Sequence, residues 1–296
     1  MENTSAGPVA FLKAKGPLSQ IVLAVIIATV LYIILLSLEI VYISYLQVAN
    51  TKVDIEGGGG KTINSGTSKV YTSNTNDIRI KNGNFRDLRY SDNEKTGIEY
   101  SYSCFLNISP ETFKDGTTEL KHVFHKGSEK FYPLLSPGVF VLGNTNTLRV
   151  FQNTSTTWYN YIDIPNMPIG KWFHLVVLVK NNATEIYING NLGAKLSSGG
   201  GVVYQNYQNL YLFNKSRISS ALTQANMLSI PEGETYNVNS SVTGSISQFY
   251  YFSYALSYTE IQDMLTMGPN PVVADNNVDK PPYFLDNWWT GKDNLM

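Results

Sequence analysis

Between Ile21 and Leu38 the chain runs for eighteen residues without a charge, and only Thr29, Tyr32 and Ser37 carry a hydroxyl. No other stretch constrains the fold as tightly. Eighteen apolar-dominated residues reach the lower bound of the roughly 17–25 that cross a bilayer as a helix. Glu39 interrupts the run, and apolar residues resume through Ile40, Val41, Ile43, Leu46 and Val48. A helix over 20–48 would be about 43 Å long, enough to cross a membrane and project beyond it. Pro17 suits a helix start, and Tyr42 and Tyr45 suit the interfacial belt. A cleaved signal peptide has a shorter apolar core, about 7–15 residues, closed by small residues that are missing here. The expectation is a retained single-pass membrane helix, with lipid as its partner through residues 20–48, after an N-terminal segment over 1–19. Lys13 and Lys15 before it balance Lys52 and Lys61 after it, so charge does not set its orientation.

Residues 49–76 read as a glycine-rich linker with a first strand. The run Gly57–Gly60 ahead of Lys61-Thr62 looks briefly like a phosphate-binding loop. That motif needs a glycine where Ile55 stands and a helix afterwards, whereas Ile63-Asn64-Ser65-Gly66 is a turn string. The linker reading is the better one.

Residues 77–268 punctuate like an all-β domain, with short apolar or alternating runs between Asn, Gly, Ser, Asp and Pro clusters. Ile98 to Leu106 alternates with a period of two, which predicts a half-buried strand. Further strands are expected at Val123–His125, Val139–Leu142, Leu148–Phe151, Tyr159–Ile162, Trp172–Lys180 and Glu185–Ile188. Asn189-Gly190 signals a two-residue hairpin turn, because both positions favour positive φ. Ser257-Tyr258-Thr259-Glu260 is a capping box that predicts one short helix, ended by Gly268-Pro269.

Two strings carry a resemblance. Lys171-Trp172-Phe173-His174-Leu175-Val176-Val177 followed by Glu185-Ile186-Tyr187-Ile188-Asn189-Gly190 resembles the paired strands of concanavalin A-like, laminin-G-type jelly rolls. Gly244–Phe252 followed by Ala255-Leu256-Ser257-Tyr258-Thr259-Glu260-Ile261 resembles the closing strand and helix of that family. The resemblance implies an all-β, two-sheet antiparallel jelly-roll sandwich preceded by one transmembrane α-helix. It also makes Trp172, His174, Tyr187, Asn189, Gly190 and Glu260 structural signature positions. The whole layout, with the tail Pro281-Pro282-Tyr283 and Asn287-Trp288-Trp289, is similar to virion proteins of large DNA viruses that carry a membrane under the capsid.

Chemistry is sparse. Relatives that cleave glycans use a Glu-x-Asp-x-x-Glu strand to place two carboxylates about 5–9 Å apart, and this chain has no such motif. Asp115 and Glu119 lie among turn residues, and Glu260 and Asp263 belong to the expected helix. His122 and His125, three apart on a strand, are expected on opposite faces, unable to share a metal. His174 completes the three histidines, and Cys104, the single cysteine, reads as a small buried hydrophobe. No cofactor and no metal are expected. A net charge of −1 gives no basis for binding nucleic acid.

What remains is binding. The polar aromatic loops 153–160 and 204–208 offer Trp158, Tyr159, Tyr204 and Tyr207 as glycan contacts, although the same composition also suits an ordinary sheet edge of low charge. Five glycosylation triplets begin at Asn107, Asn153, Asn182, Asn214 and Asn239. Residues 269–296, with four prolines and Tyr283, Phe284, Trp288 and Trp289, read as an extended arm that docks on a protein partner. The leading expectation is a non-enzymatic fastener between a viral capsid or coat layer and an underlying membrane. The alternative is a surface lectin, and a glycoside hydrolase comes a distant third.

Overall fold

The structure, a computed structural model, describes residues 16–56, 59–72, 85–91, 97–219 and 230–274, with backbone alone over 42–51. The four arm aromatics Tyr283, Phe284, Trp288 and Trp289 lie outside the described residues, as do Gly57 and Gly58. Two compact units follow each other, residues 1–50 and 51–296.

The first unit is helix α1, Pro17–Thr51. Its stretch Pro17–Val41 is long and apolar enough to cross a membrane, and its apolar window is unburied. Apolar side chains ring it on every side, the pattern of a helix surrounded by an apolar medium. Two of the internal hydroxyls spend their donors on the preceding turn, Thr29 on the Val25 carbonyl and Ser37 on that of Ile33, both at 2.8 Å. Hydroxyls satisfied in this way cost little in an apolar solvent.

The second unit is a sandwich of two sheets. Strands are β1 (Lys52–Asp54), β2 (Ile63–Asn64), β3 (Lys69–Tyr71), β4 (Tyr100–Ile108), β5 (Leu120–Gly127), β6 (Leu135–Leu142), β7 (Leu148–Phe151) and β8 (Tyr161–Ile164). They continue with β9 (Trp172–Lys180), β10 (Ala183–Ile188), β11 (Asn191–Ser197), β12 (Leu210–Leu212), β13 (Arg217–Ile218), β14 (Val238–Ser241) and β15 (Gly244–Phe252), and helix α2 spans Tyr258–Met267. One sheet runs β1-β15-β4-β9-β10-β11 with β2 beside β15; the other runs β13-β14-β5-β6-β7-β8 with β12 also beside β5 and β3 beside β12. Pairing is antiparallel except between β14 and β5. The segment read as a linker supplies β1, β2 and β3. Its described glycines are held: the Asp54 carboxylate accepts from the Gly59 and Gly60 amides at 3.0 and 2.8 Å. A Cβ on Gly60 would strike Gln248 and Tyr250.

The core between the sheets is built from Tyr100, Tyr102, Leu106, Phe124, Val139, Phe173, Leu175, Val177, Phe249 and Tyr251, among others. β9 is apolar on both faces because both are covered. β4 departs from the half-buried expectation: it is buried on both sides. Its serines find polar partners under that cover: the Ser101 hydroxyl donates to the Tyr254 carbonyl (2.9 Å) and accepts from the Leu256 amide (3.0 Å), and Ser103 bonds His174. Alternation of Ser with Tyr therefore marks a polar seam here and no solvent face.

The signature residues have local causes. Asn189 and Gly190 both take positive φ, 49° and 77°, and form the expected hairpin turn. The Asn189 side chain accepts from the His174 amide and its own amide donates to the His174 carbonyl, both at 2.9 Å. Gln262 on α2 donates to the Gly190 carbonyl (3.0 Å), docking the helix on the turn. The Ser257–Glu260 capping box forms in full. Tyr187 packs at the edge of the apolar layer under α2 and donates to Glu185. Trp172 is only half-buried and lines a 390 Å³ hollow with Asn64, Ser245 and Pro271.

Candidate functional site

The two predicted glycan loops meet at one edge. Ser155 donates its amide to the Val202 carbonyl (2.8 Å), and Tyr204 donates to that of Asn153 (3.0 Å). Their aromatics nevertheless part company. Trp158 and Tyr159 turn inward, onto a second apolar layer over the outer face of β5, β6 and β7 with Phe131, Phe140, Phe151 and Tyr236. There Trp158 packs edge-on against Tyr236, ring centroids 5.2 Å apart, with its indole Nε1 buried and unpartnered among the described residues. Tyr204 and Tyr207 stay outside, 46% and 71% exposed, and Tyr207 meets Tyr90 edge to face. Of the four predicted contacts, only these two present rings to solvent.

Four of the five asparagines of the glycosylation triplets are structural. Asn153 is buried, and its amide nitrogen donates to the Pro133 and Trp158 carbonyls at 2.9 and 3.1 Å. Asn182 donates to Ser198 and the Gly201 carbonyl, Asn214 to the Glu129 carbonyl, and Asn239 to Glu119. A glycan on any of these four would remove a donor that the fold uses.

The histidine expectation fails. His122 and His125 share one face, with His125 Nδ1 2.8 Å from His122 Nε2 and both residues fully buried. The reason is a β-bulge. His122 pairs with Phe140 and Phe124 with Val139, leaving Val123 as the extra residue that inverts the parity of the strand. Burial pushes both imidazoles down, His125 to about 4 and His122 well below its ordinary value, with the His125 charge adding to the latter. Next to the pair lies a 380 Å³ cleft whose walls are Glu129–Tyr132 on one side and Ser216–Ile218 on the other.

His174 is also buried, its Nε2 2.8 Å from the Ser103 hydroxyl, and its Nδ1 is unpartnered among the described residues. Burial lowers it to about 4. Cys104 lies in the core, its thiol pushed up by burial. Three of the carboxylates weighed for catalysis have structural partners: Asp115 pairs with Lys121 at 2.7 Å, Glu119 accepts from Asn239 at 2.6 Å, and Glu260 caps α2. No cluster of three His, Cys, Asp or Glu able to hold a metal occurs among the described residues. Lys126 was not foreseen. Its amine is buried against the Gln208 carbonyl with no carboxylate paired to it among the described residues, and burial lowers it to about 7.

Comparison with known proteins adds the following. A model of the concanavalin A-like lectin/glucanases superfamily matches residues 82–262. The ligand-binding domain of botulinum neurotoxin serotype D, solved with N-acetylneuraminic acid, is 14% identical at a TM-score of 0.43, covering 69% of this chain and 40% of its own. The receptor-binding domain of botulinum neurotoxin D gives 13% and 0.46, covering 71% of this chain and 46% of its own. Domain 4 of the arabinanase AbnA from Geobacillus stearothermophilus, solved with arabinotriose, gives 18% and 0.35, covering 56% and 66%. The chain thus spans under half the length of the neurotoxin domains. No curated protein matches it.

Proposed function

Because the chain belongs to the concanavalin A-like lectin/glucanases superfamily, we propose that it is a non-catalytic binding module held at a membrane by α1, with a glycan as ligand. The observation that carries this is the pairing of an unburied apolar helix with a sandwich whose candidate catalytic carboxylates serve the fold. Asp115, Glu119 and Glu260 are held by Lys121, Asn239 and Ser257, so these three do not face one another as an acid and base in a cleft. The exposed rings of Tyr204 and Tyr207, beside amide-rich backbone, are the surface offered to a sugar. Aromatic faces contact the apolar faces of sugar rings while neighbouring amides bond their hydroxyls. Glycan-array binding by the full chain, compared with Tyr204→Ala and Tyr207→Ala, tests the reading. We expect roughly ten-fold weaker binding per ring lost, equal to about 1.4 kcal/mol. Undiminished binding in both variants would place the ligand elsewhere.

A second reading makes the same architecture a fastener between a membrane and a protein layer, such as a viral capsid. It is favoured by the start of the C-terminal arm: Thr62 donates to the Val272 carbonyl (2.8 Å) and accepts from the Ala274 amide (2.7 Å). That edge launches the aromatic arm from a fixed point. Truncation of residues 275–296 should then abolish co-purification of a protein partner from the native source, and an unchanged partner set would end this reading.

A further inference from the structure

Two buried histidines in contact, on a face of the sandwich covered by loops, carry an inference that goes beyond ligand binding and does not depend on it. The hydrogen-bond directions are fixed by the backbone at both ends. The Asn214 amide donates to His122 Nδ1 at 2.9 Å, so the neutral ring carries its proton on Nε2. That proton is donated to His125 Nδ1 (2.8 Å), which in turn places the His125 proton on Nε2, where it is donated to the Ser128 carbonyl (2.9 Å). All four ring nitrogens are occupied, and each has one allowed role. An added proton on either Nδ1 would face another N–H donor, so no tautomer of the pair accommodates it.

The two ends of this relay belong to the two walls of the 380 Å³ cleft. Ser128 begins the turn that carries Glu129–Tyr132, and Asn214 begins the segment that carries Ser216–Ile218. The walls are also tied to each other, Asn214 Nδ2 donating to the Glu129 carbonyl at 3.2 Å. The turn is held under strain: Phe131, fully buried, sits at φ 61°, a region that bulky side chains avoid. Its ring is pinned against both imidazoles, centroids 5.0 and 5.2 Å away.

We propose that His122 and His125 form an acid-sensitive latch that holds the Ser128–Leu134 turn against the Asn214–Ile218 segment and releases it, opening the cleft, when the pair is protonated. The charged and titratable groups around the pair come from every neighbouring element. They are Lys121 and Lys126 on β5, Glu129 and Lys130 on the turn, Lys215 and Arg217 on the facing segment, and Tyr211 stacked on His125 from β12. The ring nitrogens are bonded to Asn214, to each other and to Ser128, Lys121 is paired with Asp115, and β6 carries no charge at all. The Ser128 carbonyl favours a charged His125, but burial outweighs it and the occupied Nδ1 leaves the added proton no acceptor, whereas water stabilises the imidazolium in the open state. With the closed His125 titrating at about 4 and an open histidine near 6.5, the opening constant rises roughly 30-fold between pH 7.5 and pH 5 from this ring alone. His122 adds to it in the same direction.

Amide hydrogen exchange of the full chain in detergent micelles, without ligand, tests this. Peptides covering 128–134 and 212–218 are followed at pH 7.5 and pH 5 after correction for intrinsic exchange, with 255–267 as an internal reference. The latch predicts at least ~30-fold faster opening of the first two and an unchanged reference. Equal protection at both pH values, or a matching loss in the reference, would overturn it. The variant His125→Gln, which offers a donor and an acceptor without titrating, should lose that part of the response. If it does not fold, the wild-type comparison alone decides. Because no sugar is present, a failed latch and a failed glycan site are separate results.

Discussion

The sandwich covers its two outer faces by different means. Over β15 and β9 lies α2, which buries Ile261 and Met264 on Val176, Leu178, Phe252 and Leu256. Over β5, β6 and β7 the described cover consists of loops, which bury Phe131, Tyr159 and Tyr236 on Phe140 and Phe151. A helix satisfies its own backbone, so its cover needs little more than an apolar stripe and a cap. Loops do not, and their cover draws on side chains instead: Tyr236 donates to the Phe131 carbonyl (2.8 Å), Asn153 to two carbonyls, and the histidine pair to Ser128. The first cover is apolar and insensitive to mild acid, and the second has titratable groups built into it.

The largest expected effect comes from the loop-covered side. Phe140→Ala removes the ring on which His122, Phe131, Phe151 and Tyr236 converge, at a cost of about 3–5 kcal/mol in denaturant unfolding. Ile261→Ala under α2 should cost somewhat less, about 2–4 kcal/mol. If the helix-side variant proves the more damaging, the loop cover is not the more tightly packed of the two.

Lys126 sharpens the contrast through pH. Its folded value of about 7 lies below the ordinary 10.5, so the unfolded chain binds more protons between those limits and stability falls as pH drops from 10.5 to 7. Lys126→Met should abolish that slope and gain roughly 1–3 kcal/mol at pH 7, since a buried charge no longer has to be desolvated. An unaltered slope above pH 7 would assign it to another group.

The smallest effect separates the faces by acid window. Burial raises the Glu260 carboxyl, but hydrogen bonds from Ser257 and Tyr254 outweigh it and leave the group below its ordinary value. Its contribution is thus present above the ordinary 4.5 and lost as pH falls below it. The histidines, depressed by burial, withdraw stability earlier, as pH falls from about 6.5 toward 4. Ser257→Ala should cost about 1 kcal/mol at pH 7 and leave the response between pH 6.5 and 5 untouched. A change in that window would tie the two covers together.

How much of this was legible in the sequence follows the same division. β7 and β9 begin and end where their apolar runs do, the Asn189-Gly190 turn has the expected φ signs, and the Ser257–Glu260 box caps the expected helix. Each is a local device, read from neighbouring residues. The bulge at Val123 is not local: it answers the β6 partner and the Phe213 amide, which takes the Val123 carbonyl at 2.9 Å, and neither is visible in Lys121-His122-Val123. The inward turn of Trp158 and Tyr159 is hidden for the same reason, because Tyr236, nearly eighty residues downstream, decides it. β1 to β3 are two or three residues long, too short to register a period. Of the four rings expected at a glycan surface, Tyr204 and Tyr207 are exposed at one edge and Trp158 and Tyr159 pack inward.

The central claim is that the unburied helix Pro17–Val41 holds this lectin-type sandwich at a membrane. Its most direct test is phase partitioning of the full chain, purified from its native source with its N-terminus verified by mass. Recovery in the detergent phase with residues 17–41 retained is the predicted result. Recovery in the aqueous phase, or a chain found cleaved beyond Val41, would contradict it.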